Sequence, residues 1–535
     1  MNKKFFKGLK LIALVSVTTL LTSCGGGSDS GGSGSPPVSF IPTWTQGVFP
    51  NPDQFKDLCQ VPRTDLDING APWPDRQGST LLENFWLRSW SNDTYLWYSE
   101  IVDQNPANFS DTLSYFDVLK TNATTPSGNP KDQFHFTRDT DEYQQLVASG
   151  SSSGYGARFR LVRSAPPRLV YVAYTEPNSP ATAAGLTRGA EILQIDGEDV
   201  INGSNTSVLN AGLFPAGNGE THAFVVRDPG SNTTRTITMT STSVVSDPVQ
   251  NEQVFDTATG RVGYMQFNTF ATRIAEQEII DAFANFSNQG VQDLVVDLRY
   301  NSGGFLFISS QLAYMVAGSA QTQGRVFETT VFNDKHPTTN PVTGETLQPT
   351  PFFSTPSDQA TAPGGSLPAL NLNRVFVLTT SNTCSASEAF INGLRGIDVQ
   401  VILIGDTTCG KPYGFYATDN CGITYFTIQF RGENDKGFGD YADGFVPSAS
   451  DNGQDVVQGC IVADDFSRLL GDPNEAMLAA ALNYRVTGAC PTTTKVLVQD
   501  KRGEKGSLYN NELDKQLILH NNLILEIPNE LKTKH

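Results

Sequence analysis

Histidine and positive charge are both scarce in this chain. Only five of its 535 residues are histidine, and Lys+Arg number 37 against 55 Asp+Glu, a net charge of −18. A chain so short of cations is poorly suited to hold nucleic acid, whose phosphates attract Lys and Arg. After residue 24 no apolar run approaches the roughly 18 residues of a bilayer span, which excludes a polytopic membrane protein. There is no C-x-x-C pair, so a zinc knuckle is not expected, and no motif calls for a metal or an organic cofactor. Disorder is excluded as well: 38% of the residues are hydrophobic and 10% aromatic, ample for several cores. The length suggests three or four domains.

The first 24 residues read as a leader. Lys3, Lys4, Lys7 and Lys10 precede a short apolar run, Leu11 to Leu21. It ends Leu21-Thr22-Ser23-Cys24, which resembles a bacterial lipobox and implies cleavage before a lipidated Cys24. The expected place is therefore the cell envelope, on the periplasmic side and by expectation the outer membrane, with the lipid as the membrane contact. Residues 25–40, rich in Gly and Ser, read as a flexible tether. Six cysteines remain, an even count that fits up to three disulfides in an exported chain. Cys409 and Cys421 flank a Gly/Tyr/Phe excursion and are expected to pair.

The rest divides by pattern. Residues 41–147 are expected to be a small helical domain, with an amphipathic helix over Leu81–Trp90. Asp65 to Gly70 begins like a calcium loop, but Arg76 stands where the closing glutamate belongs, so a turn is expected. Gly150 to Gly154 matches G-x-S-x-G without the strand–turn–helix context of a nucleophile elbow and reads as a flexible loop. Short strands follow. The runs Ser179-Pro180-Ala181-Thr182-Ala183-Ala184-Gly185-Leu186 and Gly189-Ala190-Glu191-Ile192-Leu193-Gln194-Ile195-Asp196-Gly197 resemble a PDZ domain over 150–245. That resemblance implies that the loop Gly154, Tyr155, Gly156 receives a substrate C-terminus while the next strand pairs with the peptide. Within 255–490, buried strands alternate with helices, which predicts a parallel α/β core. Residues 331–368 read as a long surface insertion, and the tail 491–535 carries no recognisable function.

Three segments of the core carry chemistry. Asp297-Leu298-Arg299-Tyr300-Asn301-Ser302-Gly303-Gly304 ends a buried strand, where open α/β sheets place their sites. Ser381-Asn382-Thr383-Cys384-Ser385-Ala386-Ser387-Glu388 follows a strand and opens a helix, so Ser385 sits in positive potential beside free amides. Gly405-Asp406-Thr407-Thr408-Cys409-Gly410-Lys411-Pro412 follows a strand; it nearly matches a P-loop, but Pro412 replaces the hydroxyl that binds magnesium. None of the five histidines, His135, His222, His336, His520 and His535, lies in these segments, so a Ser-His-Asp triad cannot be assembled from them. A buried lysine with a lowered pKa is the alternative base.

Together the three segments resemble the C-terminal processing peptidases, also called tail-specific proteases. The resemblance covers roughly 150–470 and implies a PDZ-like β domain and a peptidase core of the crotonase- and ClpP-like type, which with the N-terminal helical domain make a multidomain α/β chain. It implies Ser385 as nucleophile and Lys411, 26 positions on, as general base. It also implies the amides of Gly303 and Ala386 as the oxyanion hole, protein or peptide substrates, and no cofactor or metal. Asp443-Gly444-Phe445-Val446-Pro447 is similar to the family's G-I-x-P segment. One departure stands out: Phe415 occupies the place of the Gln or Glu that usually orients the lysine. Either Tyr413 or a main-chain carbonyl takes over, or the chain is a catalytically silent, PDZ-containing peptide-binding scaffold.

Overall fold

A computed structural model describes residues 42–358, 360, 365–450 and 453–491. The leader with Cys24, the Gly/Ser stretch and residues 492–535 lie outside the described residues. The chain from Thr43 packs as one unit. Among the described residues no helix is long and apolar enough to cross a membrane.

The fold is mixed α/β with several sheets. The largest runs, edge to edge, Val249–Thr257, Gly260–Phe267, Asp293–Asp297, Arg374–Thr379, Gln400–Gly405, Val456–Ile461 and Val446–Ser448. Only the first pair is antiparallel. The central strands read as unbroken apolar runs because both faces are covered, and successive side chains serve opposite faces. Val375 and Val377 join the core beneath the helices Ile274–Asn288, Leu306–Ala317 and Ala386–Gly396. Phe376 and Leu378 join the core under the helix Ala476–Thr487.

A second sheet, antiparallel, holds Arg235–Thr240, Thr221–Arg227, Glu191–Ile195, Leu169–Thr175 and Ala157–Arg163 in that order, around its own apolar core. Among the described residues its last strand, Ala157–Arg163, pairs on one side only. Arg188 fastens this sheet to the large one. Its guanidinium donates to the Tyr300 hydroxyl (2.6 Å) and Asp464 (2.5 Å), and Asp464 also receives Arg299 (2.8 Å).

Several expectations change. Ser151–Gly154 is not a loop but a strand paired with Thr242–Val245, because Gly150, at φ 66°, caps the preceding helix and turns the chain into the ladder. The 331–368 stretch is not merely surface. Phe352 and Phe353 are buried in the main core, and Thr350–Pro351 pairs with the strand Val326–Phe332. The turn expected at Asp65–Gly70, by contrast, is present: Asp67 accepts from the amides of Asn69 and Ala71. The 41–147 segment has its helix, Thr80–Thr94, but also a strand, Phe136–Asp139, paired with Ile423–Phe426 of the core. Tyr425 packs among Trp86, Trp90 and Phe116.

The cysteines pair as Cys59–Cys421, Cys384–Cys409 and Cys460–Cys490, not Cys409 with Cys421. Cys384 and Cys409 follow the neighbouring parallel strands Arg374–Thr379 and Gln400–Gly405, which bring their Cα atoms to 5.2 Å. The hairpin Thr418–Phe426 carries Cys421 away to Cys59.

Candidate active site

All three motif segments leave the carboxyl ends of adjacent parallel strands, so residues far apart in sequence converge. Backbone and hydroxyl bonds knit them. Cys384 N donates to Asn301 O (3.1 Å), Thr383 Oγ1 to Leu298 O (2.8 Å), and Cys409 N to Thr383 O (3.0 Å).

Ser385 is 1% exposed and sits at φ 62°, ψ −116°, a conformation that ordinary residues reach only under constraint. Gly303 fills the other side of this turn. A Cβ there would lie 2.7 Å from Ser385 Cβ, and its φ of 104° also demands glycine. Ala386 is the first residue of the helix, so its amide has no acceptor within the helix. The Gly303 amide donates to Asn301 Oδ1 at 2.9 Å in this structure.

Lys411 is also 1% exposed, and neither its Nζ nor Ser385 Oγ has a hydrogen-bond partner among the described residues. Burial pushes its pKa down to about 7, against the pull of the Asp132 and Glu388 carboxylates. Its Nζ lies 4.1 Å from the Phe415 ring centre and 5.0 Å from that of Phe134. Ring faces favour the charged amine and give it a fixed seat. The aromatic residue at 415 therefore contacts the amine that the sequence left without an orienting group. Tyr413 lines the same small cavity as Lys411 and packs edge-on against Trp97. Lys411 and Ser385 both line a cavity of about 10 Å³, the size of roughly one water.

Sequence reasoning gave Glu388 no role. Its fully buried carboxylate accepts from the amides of Ser385 (2.9 Å), Gly410 (2.8 Å) and Lys411 (2.8 Å) and from Thr408 Oγ1 (2.5 Å). Burial raises its pKa while these four donors pull the other way. The signal was present: Ser385 and Glu388 have the spacing of a capping box, in which the third helical residue reaches back to the cap amide. Phe134 and Asp132, from the N-terminal segment, were missed because nothing local marks them.

Gly154, Tyr155 and Gly156 lie elsewhere, beside a cavity of about 180 Å³ that also exposes Arg158. Tyr155 is a core residue, 2% exposed and packed edge-on to Phe224. Gly156, at φ 71°, abuts Ser179, where a Cβ would come within 2.3 Å, so packing alone already requires glycine there. Across this junction Arg160 donates to Asn382 Oδ1 (3.1 Å) and Ser381 Oγ (3.2 Å), a few residues before Ser385.

Residues 261–415 match the model of peptidase family S41. A carboxyl-terminal-processing protease of Picosynechococcus sp. is 26% identical over 273 residues, 51% of this chain and 58% of that protein. A chloroplastic C-terminal processing peptidase of Tetradesmus obliquus is 30% identical over 161 residues, 28% of this chain and 33% of that one. The chain thus spans little more than half of the first relative and a third of the second. A structure described as an S41 protease from Bacteroides fragilis shares the fold, with a TM-score of 0.56 at 24% identity over 77% of this chain and 98% of that one.

Proposed function

We propose, on the premise that the α/β core of this chain belongs to peptidase family S41, that the chain is a serine endopeptidase working through Ser385 and Lys411. The observation that carries this reading is the pairing of a strained, unpartnered serine hydroxyl with a buried lysine, pKa about 7, on one small cavity. Neutral Lys411 Nζ takes the Ser385 Oγ proton as Oγ attacks the peptide carbonyl carbon. The oxyanion forms against the Ala386 amide, with the Gly303 amide joining when it leaves Asn301 Oδ1. The Lys411 ammonium returns the proton to the departing amine, leaving an ester on Ser385. Water, deprotonated by the same amine, then releases the acid and restores Oγ–H.

Residues 150–245 act as a PDZ domain that delivers substrate. Support comes from the open edge of the strand Ala157–Arg163, available for pairing, and from the Arg158 cation in the cavity beside Gly154, Tyr155 and Gly156, suited to a terminal carboxylate. Lipidation of Cys24 anchors the enzyme in the envelope, and substrates are exported proteins or peptides. The test is labelling by a serine-directed fluorophosphonate together with peptide turnover. The wild-type protein is expected to label at Ser385 and turn over peptide. Ser385→Ala and Lys411→Ala each abolish turnover, and the double variant is no worse than either, because the pair acts as one unit. A wild-type chain that neither labels nor cleaves is the silent scaffold instead.

A further inference from the structure

The cavity beside Ser385 contains a carboxyl that the chemistry above does not use. Glu328 lies on the strand Val326–Phe332 and is 6% exposed. Its side chain lines the cavity with Ser385, Lys411, Leu306, Ala389 and Tyr441. Among the described residues the carboxyl has no hydrogen bond and no ion pair. Burial alone raises its pKa, to about 8. Room for it is specifically provided. Gly432 faces it on the neighbouring strand Phe430–Glu433, and a Cβ there would lie 2.3 Å from the carboxyl carbon. An unpaired buried carboxyl costs stability, so its presence needs a use, and the fold keeps space open for it.

We propose that Glu328 is the specificity determinant of the pocket that receives the substrate side chain next to the scissile carbonyl, and that it selects a short hydroxyl-bearing side chain, serine or threonine. The inference rests on the serine-peptidase reading above. The cavity holds about one water, so long side chains are excluded; threonine and valine must push its walls apart to the same extent, being isosteric, so their ratio reports the hydroxyl alone. Chemistry then separates hydroxyl from methyl. A protonated carboxyl both donates and accepts, as a hydroxyl does, so the two satisfy each other once the water is displaced. Valine or alanine would displace the same water and leave the carboxyl unpaired in a dry pocket. Ala389, Leu306 and Phe430 supply apolar walls for the rest of the side chain.

The experiment compares kcat/KM for peptides that differ only in Thr against Val, or Ser against Ala, on the carbonyl side of the cleaved bond. Each enzyme is its own control, because only the ratio is read. The wild-type chain is expected to favour Thr over Val by about ten-fold or more, the size of one unpaired buried group. Glu328→Gln, which keeps a donor and an acceptor, should retain most of that preference. Glu328→Met, of similar length but apolar, should abolish or invert it, with thermal midpoints reporting the fold of both variants. Turnover without a Thr/Val preference, or a preference that survives Glu328→Met, overturns the role of Glu328 alone. Absence of both fluorophosphonate labelling and turnover in the wild-type chain overturns the peptidase reading, and this inference with it.

Discussion

Lys411 titrates differently in water and in the native chain. In water a lysine amine titrates near 10.5, and in its buried seat it titrates near 7. That shift makes a base at neutral pH, and it opposes folding, because the unfolded chain holds a proton that the native chain releases. Between about pH 7 and 10.5 the unfolded state binds more protons, so native stability rises with pH across that window. The penalty is complete below the lower value and gone above the upper. Lys411→Met should therefore be more stable than wild type at about pH 6, by an amount on the order of a few kcal/mol, and equal to it by about pH 10–11. Urea unfolding at a series of pH values measures this. A constant difference across the series would mean that Lys411 is not the titrating group. The sequence showed the lysine, the serine and the missing acid or amide at 415. It did not show that Phe415 and Phe134 flank the amine, since ring-to-amine contact depends on how an excursion folds back.

Strand ends explain why the site forms where it does. Three parallel strands deliver Gly303, Ser385 and Lys411 to one edge, and their apolar runs were legible because burial on both faces leaves no polar alternation to confuse. Cysteine pairing was not legible. Six thiols allow fifteen pairings, and only the register of Thr379 against Gly405 decides that Cys384 meets Cys409. Glu388 ties the start of the helix Ala386–Gly396 to the loop of Lys411 through bonds to backbone amides on both. Glu388→Gln would turn an amide group toward those donors, leaving at least one unpaired. The expected cost is on the order of 2 kcal/mol in unfolding, with kcat falling more than KM rises. A variant with wild-type kcat would remove Glu388 from the positioning of the dyad.

At the scale of the molecule, the N-terminal segment is stitched into the core rather than set beside it. The disulfide Cys59–Cys421, the ion pair of Arg63 with Asp419 (2.9 Å) and the pairing of Phe136–Asp139 with Ile423–Phe426 all converge on the hairpin beyond Lys411. Its aromatic residues announced a core, but which chain would complete it depended on contacts several hundred residues apart. On the other flank the buried network of Arg188, Tyr300, Asp464 and Arg299 joins the second sheet to the loop that carries Gly303. Single-element patterns cannot reveal such a network, because nothing local to any one member marks its distant partners.

The proposed mechanism requires neutral Lys411 to deprotonate Ser385, and the pH dependence of kcat/KM for a peptide that carries no titrating group tests this most directly. Only the free base is active, so the rate is expected to climb ten-fold per pH unit below a midpoint near 7. Phe415→Leu removes a ring that favours the ammonium and should move that midpoint lower. A profile that stays flat through neutrality, or one whose midpoint is unchanged in Phe415→Leu, would contradict the account.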